Sequence, residues 1–202
     1  VNYIKNKIQI NKFKKQDFSN YIIWLILIVI ISVICIFIWN FFGSYKTKVL
    51  FNSVKQYELV NSQLYTDKYI ESAKKFILEN NNIYGVITAL ELSRVFVNNN
   101  NLNDAQKILT NILRKPMNVN IQDLINIRIA RIKLEQGNID DAITYVSSIK
   151  NKLWQSMIQN ILGDAFIYKG DKLSAKSSYK LGLDNSSRFI KNILILKLNN
   201  IS

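Results

Sequence analysis

Apolar and polar positions follow two different patterns along this chain. From Tyr21 to Phe42 they do not alternate: 22 residues pass without one charge, and sixteen are Ile, Leu, Val or Phe. Wound as a helix at ~1.5 Å per residue, the segment would be about 33 Å long, enough to cross a hydrocarbon core of roughly 30 Å. Each aliphatic or Phe position favours insertion by roughly 0.3–0.6 kcal/mol, which together outweighs Ser32 and Asn40 by several kcal/mol. A transmembrane helix is expected, because a buried core helix rarely runs this long without a polar face. Tyr21 and Trp24 at one end, and Trp39, Phe41, Phe42 and Tyr45 at the other, stand where interfacial anchors belong. A cleaved signal peptide is disfavoured. The run exceeds a usual signal core, and Phe-Phe-Gly-Ser-Tyr-Lys after it lacks an Ala-x-Ala-like site, so the span is expected to be retained as a signal anchor.

Beyond the span the pattern becomes periodic. Val49, Leu50, Val54, Tyr57 and Leu64 fall near helical spacing, which predicts a helical stalk over 43–64. From residue 65 to 202 an alanine opening an amphipathic stretch recurs at Ala73, Ala105, Ala142 and Ala175, with gaps of 32, 37 and 33 residues. Before the last three comes a turn at a fixed offset: Asn100-Asn101-Leu102, Gly137-Asn138-Ile139 and Gly170-Asp171-Lys172. A helix–turn–helix unit of about 34 residues with a small residue in its second helix is the tetratricopeptide pattern. The reason is steric, since antiparallel helices approach closely only where a side chain is small, and Gly or Asn accepts the left-handed turn. Ser93, Ala130 and Gly163 occupy an equivalent small position in the first helices, predicted to face the partner helix. Arg128, Arg131 and Glu135 are charge neighbours at helical spacing, and Pro116 falls between units. The alternative is an irregular helical bundle. The expected architecture is all-α: a basic lead over 1–20, a transmembrane helix over 21–42, a stalk over 43–64 and a tetratricopeptide-like domain over 65–202.

Composition changes this picture little. The net charge of +13 invites a nucleic-acid reading, yet residues 43–202 carry 22 basic and 13 acidic residues without a block. No basic helix or aromatic-interleaved groove accompanies the charge, so no nucleic-acid partner is expected. The 26 Asn, 33 Ile and 22 Lys all have AT-rich codons, so mutational drift is expected to account for much of the basicity. Cys35, the only cysteine, lies inside the span, so the periodic domain has no disulfide of its own. Five lysines within the twenty residues before the span, against Lys46, Lys48 and Lys55 soon after it, predict a cytoplasmic N-terminus and a C-terminal domain across the membrane.

Several stretches together resemble a known family. They are Tyr84-Gly85-x-x-x-Ala89-Leu90-Glu91-Leu92, Ile125-Asn126-Ile127-Arg128-Ile129-Ala130-Arg131, Gly163-Asp164-Ala165, Lys169-Gly170-Asp171-Lys172 with Ala175, and the closing Lys197-Leu198-Asn199-Asn200-Ile201. In order and spacing they resemble the ancillary SecYEG translocon subunit family. The resemblance implies a single-span inner-membrane protein whose periplasmic domain meets Sec translocon channel subunits, periplasmic chaperones and exported polypeptides, passing new chains between them. The alternative is an anchored scaffold for an envelope complex that never contacts nascent chains.

Catalysis is not expected. The chain has no histidine, no thiol outside the span, no Gly-rich phosphate loop and no metal-spaced carboxylates, and no cofactor is implied. Asp140-Asp141 opens a helix, where acids suit the dipole. Helical repeats instead hold peptide along a face built from their first helices. Aligning units on the three turns puts Leu90, Ile127 and Asn160 at one expected groove position, and Arg94, Arg131 and Asp164 at another. The competing expectation is that Arg94 and Arg131 only make surface ion pairs. Phe189, Ile193 and Leu196 give the terminal helix an apolar face that would suit a homodimer.

Overall fold

The computed structural model describes the backbone of residues 2–64, 66–184 and 186–201; side chains 1–23, 26, 42–47 and 49 lie outside the description. Every regular element among the described residues is helical. Two compact units form, residues 1–54 and 55–202.

The first unit is made by helix α1 (Asn2–Asn61), whose residues from Lys55 onward belong to the second. Its described apolar side chains between Trp24 and Phe41 are exposed, Trp39 at 83% and Phe37 at 76%. Among the described residues no helix is long and apolar enough to cross a membrane. The side chains of Tyr21, Ile22, Ile23, Ile26, Phe42 and Tyr45, part of the expected span and its anchors, lie outside those residues.

In the second unit α2 (Tyr69–Glu79) precedes three helical hairpins. These are α3 (Ile83–Asn98) with α4 (Leu102–Leu113), α5 (Val119–Glu135) with α6 (Ile139–Ser147), and α7 (Gln155–Tyr168) with α8 (Lys172–Leu183). Helix α9 (Arg188–Asn199) packs on the last hairpin. Each hairpin packs on the next, so the core runs as successive clusters rather than one centre. All four repeat alanines are fully buried. Ser93 and Ala130 are buried as well, and Ser93 Oγ donates to the Ala105 carbonyl at 3.3 Å, so the small positions do face the second helix.

The turns explain why the hairpins form where they do. Asn100, Gly137 and Gly170 have φ of 58°, 77° and 78°. After each of these residues the next N–H bonds back five positions, from Asn101 to Phe96, Asn138 to Lys133 and Asp171 to Phe166, at 2.8–2.9 Å. These bonds satisfy carbonyls that the helix end would leave free. Nothing lies within 4 Å of where a Cβ would sit on Gly137 or Gly170. The cost of Gly137→Ala or Gly170→Ala is therefore purely conformational, and about 1 kcal/mol is expected for each. Urea unfolding of the full chain in detergent checks this, and unchanged midpoints would show that the turns tolerate a side chain.

Asparagine also begins helices. Asn82 accepts from the Tyr84 and Gly85 N–H groups, Asn101 from Asp104 and Asn118 from Asn120. The abundant asparagines of this chain thus include N-caps. Pro116 lies between α4 and α5, where it breaks no helix.

Candidate functional site

Helices α3, α5 and α7 carry equivalent residues six positions before their turns: Arg94, Arg131 and Asp164. Lys197 on α9 follows Asp164 by 33 residues, the spacing that separates Asp164 from Arg131. The row Arg94, Arg131, Asp164, Lys197 therefore continues through the terminal helix, and its two ends behave differently.

At the α7–α9 end the charges are satisfied within the protein. Lys197 Nζ lies 2.6 Å from both Asp164 oxygens and donates to Asn160 Oδ1 at 2.8 Å. The Tyr179 hydroxyl, from α8, donates to Asp164 Oδ1 at 2.6 Å, and Lys197 Nζ stands 5.6 Å from the Tyr179 ring centroid. Asn160 and Asp164, both expected to line a groove, are thus engaged by α9, Asn160 being buried and Asp164 half-buried. A cavity of about 500 Å³ beside them is lined by Arg131, Leu134, Glu135, Ile167, Tyr168, Ile193 and the network itself.

At the α3–α5 end the charges are less completely matched. Arg94 pairs with Glu91 at 2.7 Å. Arg128 and Arg131 have no carboxylate within ion-pair distance among the described residues, so the helical spacing to Glu135 does not produce a bridge. Burial, then the neighbouring Arg128, push the Arg131 guanidinium below the usual arginine range, while Asp164 pulls it back up. Leu90, Ser93, Arg94, Val97, Leu102, Leu109, Arg128, Arg131, Ile132 and Glu135 enclose a cavity of about 200 Å³ here.

Ile127 departs from its expected place. It is 1% exposed and packs with Ala130, Leu134 and Ala142 in the core. Helix α5 lies between neighbours, and Ile125, Ile127 and Ile129 are all buried, so it has less open surface than its repeat position suggests. Leu90, Arg94 and Arg131 do meet around one cavity. Sequence reasoning did not place Arg128, Tyr179 or Lys197 at this face; the 33-residue spacing was the available signal for Lys197. Asp140 and Asp141 do more than face a helix dipole, since they pair with Lys169 at 2.6 Å and Lys133 at 2.8 Å.

Two buried tyrosines make this unit sensitive to alkali. Burial, then the hydrogen bond to Asp164 and its charge, raise the Tyr179 phenol above its ordinary value. Tyr69 is pushed up to about 12 by burial, then by Glu91 and Tyr57, with Arg94 opposing. Above pH ~10 the unfolded tyrosines lose protons that the folded ones keep, so stability falls with rising pH, by up to about 1.4 kcal/mol per pH unit for each. Below that pH the contribution is fully present. Urea midpoints measured between pH ~8 and ~11 are expected to drop, with a shallower slope in Tyr179→Phe; an equal slope would remove the assignment.

Helical hairpins closed by left-handed turns over buried alanines define a tetratricopeptide-like protein, and the profile of the tetratricopeptide repeat-like domain matches residues 15–202. Relatives carry the name ancillary SecYEG translocon subunit. That of Buchnera aphidicola subsp. Schizaphis graminum is 33% identical over 198 residues, 95% of this chain and 98% of its own length. That of Buchnera aphidicola subsp. Acyrthosiphon pisum is 32% identical over 91% of this chain and 95% of its own. The Escherichia coli K12 protein is 32% identical over 134 residues, 66% of this chain and 65% of its own. The chain belongs to the ancillary SecYEG translocon subunit family.

Proposed function

We propose that this chain is a non-enzymatic adaptor of the Sec translocon, anchored in the inner membrane by residues 21–42 and handing exported polypeptides to periplasmic chaperones. The observation that carries the reading is the likeness to the translocon subunits named above, which spans nearly the whole chain, the apolar segment included. The exposed apolar side chains of α1 support the anchor, because lipid solvates such a surface and water does not. Lysine bias supports a cytoplasmic N-terminus and a periplasmic repeat domain. Leu90, Arg94 and Arg131, with Asn160 and Asp164 beyond them, form the face on which a polypeptide would lie.

Photocrosslinkers placed at residues 97 and 135 in living cells, followed by mild-detergent purification and mass spectrometry, test this. Sec channel subunits together with exported chains or periplasmic chaperones are the expected products. Envelope assembly proteins alone, or only background, would overturn the reading and leave an anchored scaffold.

A further inference from the structure

We propose that the α3–α5 end of this face selects extended partner segments in which an acidic side chain flanks an apolar one. The carboxylate would lie between Arg128 and Arg131 and the apolar side chain against Leu90 and Val97. The inference rests on the reading that the face receives polypeptide, and adds which polypeptides it prefers.

Charge complementarity carries the argument. Arg128 and Arg131 stand three residues apart on one side of α5 and line the same cavity, without a carboxylate in ion-pair distance among the described residues. Elsewhere in the row the demand is met internally, Arg94 by Glu91 and Lys197 by Asp164. Glu135 shares the wall of the cavity but pairs with neither guanidinium, so it does not fill the role. The surroundings are mainly aliphatic, where a charge-assisted bond is stronger than in water. Burial, then repulsion from Arg128, already load the Arg131 guanidinium; Asp164 offsets only part of this, and an incoming carboxylate relieves the rest. A lysine-bearing segment would add to it and be rejected. The cavity, about 200 Å³, accommodates one medium apolar side chain rather than a helix, which favours an extended segment.

The test uses the full chain in nanodiscs of zwitterionic lipid and two short fluorescent peptides with blocked ends, one alternating Leu and Glu and the other Leu and Gln. The Glu peptide is expected to bind about tenfold more tightly, with the preference shrinking as salt is raised. The double variant R128Q/R131Q is expected to lose the preference while melting no lower than the parent, because it removes repulsion. K197Q is expected to keep it. Equal binding of the two peptides, or a preference that survives in R128Q/R131Q, overturns the inference. Copurification of the parent chain with Sec channel subunits is measured separately. Its presence without any peptide preference would sink this inference alone, whereas a clear preference without copurification would sink the broader function and leave the site standing.

Discussion

Gly163→Ala is expected to lower stability by about 2 kcal/mol, although alanine suits a helix interior better than glycine. A Cβ at this position would meet the Tyr179 ring, with Cζ at 2.8 Å and Cδ1 and Cε1 closer still. The ring cannot swing aside, since Tyr179 is 2% exposed and its hydroxyl is held by Asp164. Overpacking of a filled site costs about 1–3 kcal/mol and occasionally more. Helix propensity returns roughly 1 kcal/mol, because alanine suits a helix better than glycine. The overlap wins because it falls on a rigid ring instead of a flexible chain end. Thermal unfolding would show the loss as a fall of roughly 6 °C in Tm. In the background Tyr179→Leu, which removes the ring, the same alanine should cost little. A Gly163→Ala chain melting at or above the parent would show that α7 and α8 are not packed this closely.

The contrast with Gly137 and Gly170 shows what the sequence could reveal. All of these glycines fall at repeat-equivalent positions, so periodicity marks each as special. Left-handed turns are a local property, which is why Asn100, Gly137 and Gly170 were legible from spacing and residue type alone. The alanine ladder was legible for a similar reason, since close helix approach excludes larger side chains at those points. What fills the space beside a small residue depends on another helix. Ser93 meets a backbone carbonyl, whereas Gly163 meets an aromatic ring, and the repeat pattern does not distinguish them. The expected groove positions follow the same logic. Leu90, Arg94 and Arg131 line one cavity, whereas Ile127, at the position equivalent to Leu90, is buried in the core with Ala130 and Leu134. Lys197 was overlooked because the register was read from the three turns and never carried on into α9, although the residue continues their row. Asparagine, which composition showed only as abundant, caps helices at Asn82, Asn101 and Asn118.

Asp164→Ala is expected to be at least as damaging, about 3 kcal/mol, and for a reason a surface charge would not provide. Asp164 accepts from both Tyr179 and Lys197, and so joins α7 to α8 and α9 at once. An exposed ion pair contributes roughly 0–1 kcal/mol, but a buried donor left without a partner costs about 1–3 kcal/mol. The Tyr179 hydroxyl becomes such a donor when Asp164 is removed, while Lys197 retains Asn160. Tyr179→Phe by itself is expected to cost about 1 kcal/mol, since Asp164 keeps its lysine. Combining the two should cost less than their sum by roughly 1–2 kcal/mol, because the phenylalanine leaves no hydroxyl to be orphaned. A double-mutant cycle by urea unfolding measures that difference directly. Strict additivity would mean that tyrosine and aspartate act independently, and the α7–α9 end of the face would then be held by apolar packing of α9 alone. A coupling of the expected size would instead make Asp164 the residue that ties α7 to α8 and α9 at this end of the face.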